Sequence, residues 1–148
     1  MSIAVSRMDR DVGRIVKLLE ELELQTNTLV IFTSDNGPTY LDADVKWFES
    51  AKPFQTESGR TKGYLYEGGI RVPFLIRSPG EIPEGVVSDT PVTSVDIFPT
   101  FLELAGIEGP QDREIDGLSL AAHMTSGGKE KVDREELVWH FPHYRHAP

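Results

Sequence analysis

Ser34-Asp35-Asn36-Gly37-Pro38 is the first stretch whose residue types could do chemistry. A carboxylate beside an amide offers neighbouring hard oxygens, and such oxygens suit a divalent cation such as calcium or magnesium. The same residues also compose a tight turn, because Asp, Asn, Gly and Pro each favour turn geometry. Residue chemistry alone leaves both readings open. A second stretch, Gly59-Arg60-Thr61-Lys62-Gly63-Tyr64-Leu65-Tyr66-Glu67-Gly68-Gly69-Ile70-Arg71-Val72-Pro73, sets a lysine among glycines that let the backbone turn tightly. Lys62 could meet an anionic group there as a compact point charge. Read without context, a solvated surface charge is the favoured reading of Lys62, as of Arg71. Glu67 and Arg71 have helical spacing, but Gly68 and Gly69 lie between them and argue against a helical ion pair. A third stretch, Trp139-His140-Phe141-Pro142-His143-Tyr144, could line a pocket or pack as an edge strand. The spacing of His140, His143 and His146 does not suit zinc, and no cysteine assists them.

The elements that must position these residues follow from hydrophobic periodicity. Met8, Val12, Ile15, Val16, Leu19 and Leu22 recur at steps that share one helical face, which predicts a helix from Met8 to Leu22. Ser6 with Asp9 would cap its start. Glu20, Glu21 and Glu23 crowd its end against the helix dipole, so packing must hold that end. Thr28–Thr33 is short, β-branched and apolar without alternation, and this pattern predicts a strand buried on both faces of a parallel sheet. The helix before it makes half of a β-α-β unit. In an open sheet of that kind ligands gather beyond the carboxyl ends of strands, where Asp35 and Asn36 would then stand. A second strand is expected at Val72–Ile76, closed by the turn Ser78-Pro79-Gly80. A helix over Phe98–Leu104 should stop at Gly106, with Asp96 as its cap so that Pro99 falls in the first turn. A short helical piece near Leu118–Met124 and a final strand at Leu137–Phe141 complete the expected elements.

With 148 residues the chain suffices for one ordinary globular core, and 39% hydrophobic with 26% charged residues is a globular composition. A net charge of −9 argues against a nucleic-acid backbone or an anionic membrane as partner. An anionic small substrate stays compatible, since a local lysine can reverse the field within one pocket. The absence of cysteine removes disulfides, thiolate metal sites and cysteine nucleophiles. No apolar run approaches the roughly 20 residues of a membrane span. The first residues are charged too early for a secretory signal.

In order along the chain, M-D-R-D-V-G-R-I-V, N-T-L-V-I-F-T-S-D-N-G, K-G-Y-L-Y-E-G-G-I-R-V-P, D-I-F-P-T-F-L-E-L-A-G and D-G-L-S-L resemble the arylsulfatase family of the alkaline-phosphatase-like superfamily. The resemblance implies an α/β fold, a partial alkaline-phosphatase-like sandwich with a parallel or mixed central sheet and flanking helices. It also implies that residues 1–148 form the C-terminal portion of a sulfatase catalytic domain, truncated at both ends. By the same resemblance Asp35 and Asn36 are ligands of an active-site calcium, and Lys62 contacts the sulfate. Such groups would stabilise charge on the sulfuryl oxygens during S–O cleavage of a sulfated small molecule or carbohydrate. The family's formylglycine nucleophile arises from the Cys or Ser of a C/S-x-P-x-R motif, and no such motif occurs among these residues. The calcium site is therefore expected to be incomplete and the isolated chain inactive. Two rival readings are a phosphate or phosphonate monoester hydrolase of the same superfamily, and a non-catalytic remnant acting through binding or assembly. Too few strand candidates to complete a sheet imply an exposed edge and self-association.

Overall fold

The structure, a computed structural model, describes residues 3–38, 53–54 and 61–142. Gly59, Arg60, His143, Tyr144 and His146 lie outside the described residues. The chain divides into two compact units, residues 1–76 with 139–148, and residues 77–138.

In the first unit, helix α1 spans Ile3–Glu21. It begins earlier than periodicity indicates, so Ser6 and Asp9 lie within it rather than capping it. Among its apolar positions Val12, Val16 and Leu19 are half-buried, while Met8, Ile15 and Leu18 are exposed. Its acidic end is held locally: Lys17 pairs with Glu21 at 3.5 Å, and the chain reverses through Glu23 at φ 58°. The Leu24 N–H then reaches back to the Leu19 carbonyl at 2.8 Å, the closing bond of a left-handed helix stop. Glycine usually occupies that position, because a Cβ in left-handed geometry costs about 1–2 kcal/mol. Glu23→Gly should therefore raise stability by about 0.5–1 kcal/mol once the added freedom of the unfolded chain is subtracted. A urea melt would show this as a higher midpoint at unchanged slope; a lower midpoint would refute it.

Strand β1 spans Val30–Thr33. The one-turn helix α2 covers Glu67–Ile70, and strand β2 covers Phe74–Arg77. β1 and β2 pair as a two-stranded sheet. The Gly37 N–H, just beyond β1, donates to the carbonyl of Gly69, just before β2. The end of β1 therefore faces the beginning of β2, and the strands run antiparallel. This corrects the expected parallel, fully buried strand. Val30, Ile31 and Phe32 are only half-buried and Thr33 is exposed, because one neighbouring strand covers one edge and neither face. The expected strand at Leu137–Phe141 does not form: no ladder engages it among the described residues, and Val138 is 78% exposed. Glu67 and Arg71, set aside as a helical pair because of the intervening glycines, do pair at 3.0 Å across α2. The buried Gly68 and Gly69 are held by packing, which overrides their poor helix propensity. Arg71 also lies 4.6 Å over the Phe54 ring.

The second unit opens with the turn at Ser78-Pro79-Gly80, where the Glu81 and Ile82 N–H groups both reach the Ser78 carbonyl. A 3-10 turn over Ser94–Asp96 leads into helix α3, Ile97–Leu104, with Asp96 as its N-cap and Pro99 in its first turn. It ends through Gly106 at φ 65°, where Ile107 bonds back to Leu102. Helix α4 spans Ala121–Thr125. Leu120, Ala121 and Met124 make its apolar core, and polar Asp96, Thr100 and His123 are buried with them.

Asp96 and Thr100 are satisfied by one network, and the His123 ring by Ser88 and the Glu130 carbonyl. The Asp96 carboxylate accepts from the Thr93 N–H at 2.9 Å, from the Leu118 N–H at 2.9 Å and from both terminal nitrogens of Arg134. The Thr100 hydroxyl donates to the Asp96 carbonyl at 2.6 Å and accepts from the Leu120 N–H at 2.9 Å. D-I-F-P-T and D-G-L-S-L, distant in sequence, are thus joined through side chains. A Cβ at Gly117 would lie 2.0 Å from the Val95 carbonyl oxygen, so only glycine permits the close approach.

Candidate functional site

Four positions are buried among the described residues of the first unit: Gly37, Thr61, Gly68 and Gly69. All belong to the two loops that carry the sequence-derived site residues. At the end of β1 the Ser34 hydroxyl donates to the Asn36 carbonyl at 2.9 Å, so Ser34–Asn36 forms a compact side-chain-supported turn. This turn presents Asp35 exposed and Asn36 half-buried. Turn geometry and ligand presentation are therefore compatible in one segment.

The second loop folds on itself before α2. The Tyr64 N–H reaches the Thr61 carbonyl at 3.0 Å, and Gly63 takes φ 89° to permit the turn. Two backbone hydrogen bonds stitch this loop to the first: Gly37 N–H to the Gly69 carbonyl at 2.8 Å, and Lys62 N–H to the Pro38 carbonyl at 3.0 Å. Contact is closest at the glycines. A Cβ at Gly37 would lie 1.9 Å from the Gly68 carbonyl oxygen, and one at Gly69 would lie 2.2 Å from that of Tyr64. The fold thus brings Asp35, Asn36 and Lys62 onto two joined loops, and Lys62 is exposed.

The donor set fits a hard cation in kind but not in number. Asp35 and Asn36 contribute two neighbouring side-chain oxygens, and no ion pair engages Asp35 or Lys62 among the described residues. Among the described residues there is no group of three or more His, Cys, Asp or Glu that could hold a metal. Calcium takes about six to eight oxygens, so these two side chains do not make a calcium site by themselves. Sequence reasoning missed the part played by Gly37 and Thr61. Gly37 carries a signal only in hindsight, as one more glycine in a turn-rich stretch. Thr61 carries none, since its complete burial depends on loop packing.

Comparison with known proteins gives a consistent result. The sulfatase family model matches residues 3–107. The chain is 45% identical to N-acetylgalactosamine-6-sulfatase of Sus scrofa over 124 residues, covering 84% of this chain and 23% of that protein. It is 39% identical to human steryl-sulfatase over 141 residues, covering 93% of this chain and 23% of that protein. Among solved structures it is similar to the PsFucS1 sulfatase from Pseudoalteromonas sp., with TM-score 0.73 and 31% identity, covering 88% of this chain and 25% of that one. It is also similar to a protein solved with its substrate D-glucosamine-2-N,6-O-disulfate, with TM-score 0.71 and 30% identity, covering 94% of this chain and 26% of that one. The chain spans about a quarter of the length of the curated relatives it matches.

Proposed function

The chain belongs to the sulfatase family, and from that premise we propose that its two joined loops form the charge-binding part of a sulfuric ester hydrolase site. Asp35 and Asn36 hold one side of a calcium ion, and Lys62 meets a sulfate oxygen. A bound calcium would supply positive charge against the sulfuryl oxygens. The chain's own residues do the positioning. The Ser34 hydroxyl fixes the Asn36 turn, the Gly37–Gly69 bond ties that turn to the second loop, and the Lys62–Pro38 bond places the lysine backbone beside it. This stitched pair of loops is the observation that carries the reading. The substrate class we assign is a sulfated carbohydrate. One relative is named for N-acetylgalactosamine 6-sulfate, and one structural neighbour holds a disulfated glucosamine. The 148 residues contain no cysteine and no S-x-P-x-R sequence. They therefore supply charge recognition and no formylglycine precursor, and by themselves they should leave aryl sulfates intact.

Backbone amide NMR on the purified chain tests this directly. Calcium chloride should shift residues 34–38, and sodium sulfate should shift the neighbourhood of Lys62. The calcium affinity should be weak, with Kd about 10⁻⁴ M or weaker, because two side chains leave most ligand positions to water. Asp35→Ala should abolish the calcium response and Lys62→Met the sulfate response. Submicromolar calcium affinity that survives loss of both Asp35 and Asn36 would place the metal elsewhere and sink the assignment. Calcium-dependent turnover of a chromogenic aryl sulfate by the 148 residues would sink the division of labour.

A further inference from the structure

Within the second unit, a serine and a histidine 35 positions apart meet in a geometry that the sulfatase reading does not use. His123 is 8% exposed, and its Nδ1 lies 2.6 Å from the Glu130 carbonyl oxygen. A carbonyl can only accept, so Nδ1 carries the proton. In the neutral ring Nε2 is then an acceptor. The Ser88 hydroxyl lies 2.9 Å from Nε2 and donates to it. Ser88 Oγ also accepts from the Thr90 N–H at 3.1 Å. The hydroxyl proton is thereby directed at the imidazole while the oxygen stays on an exposed residue. Gly128, at φ +82°, leaves one side of the pair bare; a Cβ there would lie 3.8 Å from His123 Cε1 and 3.9 Å from Ser88 Cβ.

The geometry points to Ser88 as an activated nucleophile toward small carboxylic esters, with His123 as its general base and the Glu130 carbonyl as the group that orients the base. The three roles are those of nucleophile, base and orienting acceptor in acyl transfer. In the first step the Ser88 Oγ proton passes to His123 Nε2 and an Oγ–C bond forms at the acyl carbon. The ester C–O bond breaks, and the Nε2 proton leaves with the departing alkoxide as an alcohol. Water then gives a proton to Nε2 and attacks the acyl carbon. The Oγ–C bond breaks, the acid departs, and the proton returns to Oγ.

A fluorophosphonate probe with peptide mapping by mass spectrometry tests the assignment on the intact chain. Oγ–P bond formation expels fluoride and leaves the proton on His123. Exposed Ser94 in the same unit is the internal reference. Ser88 should label roughly a hundredfold faster than Ser94, the usual scale of general-base assistance, and should lose that preference in urea. Ser88→Ala removes an exposed hydroxyl and should abolish the fast labelling, leaving Ser94 at its own slow rate. His123→Gln should lower the Ser88 rate, with circular dichroism showing whether the buried substitution keeps the fold. Equal labelling of Ser88 and Ser94 in the folded chain would overturn the proposal, as would a Ser88 preference that persists in urea. A hydrogen bond that merely ties the loop to α4 predicts that equality.

Discussion

Asp96→Ala should cost about 3–5 kcal/mol of stability in residues 77–138, the usual result when one partner of a buried ion pair is removed. The magnitude follows from burial. Asp96 is fully buried and the Arg134 side chain is 12% exposed, so water cannot replace what either loses. The substitution strands the Arg134 guanidinium and also leaves the Thr93 and Leu118 N–H groups without their acceptor. Thr93 and Leu118 are half-buried, so water can partly replace the lost acceptor and their loss falls within the stated range. Arg134→Met should be similarly severe, because it leaves a buried carboxylate without its cation. Combining Arg134→Met with Asp96→Leu removes both charges but not the two backbone N–H groups, so the double variant should recover only part of the loss. Denaturant melts of the set, with hydrogen exchange at Leu118 and Leu120, would check this. An Asp96→Ala protein within about 1 kcal/mol of the parent would show that the network is not what closes the unit.

The same carboxylate gives the pH dependence its sign. Burial alone pushes the Asp96 carboxyl up, but donation from Arg134, Leu118 and Thr93, with the Arg134 charge, outweighs it and holds the group below the ordinary carboxylate range. A folded-state value below the unfolded one means that the unfolded chain binds the proton more readily. The stabilisation is therefore fully present above the ordinary value of 3.8 and is lost as pH falls through the lower folded-state value. Acid should open residues 77–138, and Asp96→Ala should flatten that acid limb.

Gly37→Ala should separate the two site loops. The added Cβ would lie 1.9 Å from the Gly68 carbonyl oxygen, 2.9 Å from its carbon and 3.1 Å from the Gly69 Cα. All three are backbone atoms, so no rotamer relieves the contact. The Gly37 to Gly69 hydrogen bond must break, and the segment carrying Asp35 and Asn36 must move away from the one carrying Lys62. Overpacking of this kind costs about 1–3 kcal/mol, and the broken bond adds about 1 more. Gly13→Ala is the control: nothing lies within 4 Å of a Cβ there. Gly13 lies within α1, so alanine should stabilise by about 0.5–1 kcal/mol. If Gly37→Ala leaves the calcium and sulfate shifts of residues 34–38 and Lys62 unchanged, the loops do not depend on each other for their charge-binding geometry.

The sequence by itself determined the parts that obey local rules. The α1 stripe, the apolar run before Ser34, the Gly106 stop and the helix start after Asp96 are each decided within a few residues by side-chain periodicity, dihedral freedom or a proline's missing donor. The Asp96 carboxylate itself makes no capping bond to its helix. The family resemblance was likewise legible, because order and spacing along the chain carry it; Asp35, Asn36 and Lys62 follow from it as candidates. Tertiary structure decided the rest. An apolar strand looks the same in sequence whichever way its neighbour runs, so the antiparallel pairing of β1 with β2 needed the Gly37–Gly69 contact to reveal it. The one-turn helix at Glu67–Ile70 defies glycine propensity because burial of Gly68 and Gly69 outweighs their backbone entropy. Leu137–Phe141 has strand composition but no strand pairs with it among the described residues, and a ladder needs two. The Asp96–Arg134 clasp and the Ser88–His123 contact join residues 38 and 35 positions apart. No periodicity reaches that far; only packing of the intervening helices sets those side chains within hydrogen-bond distance.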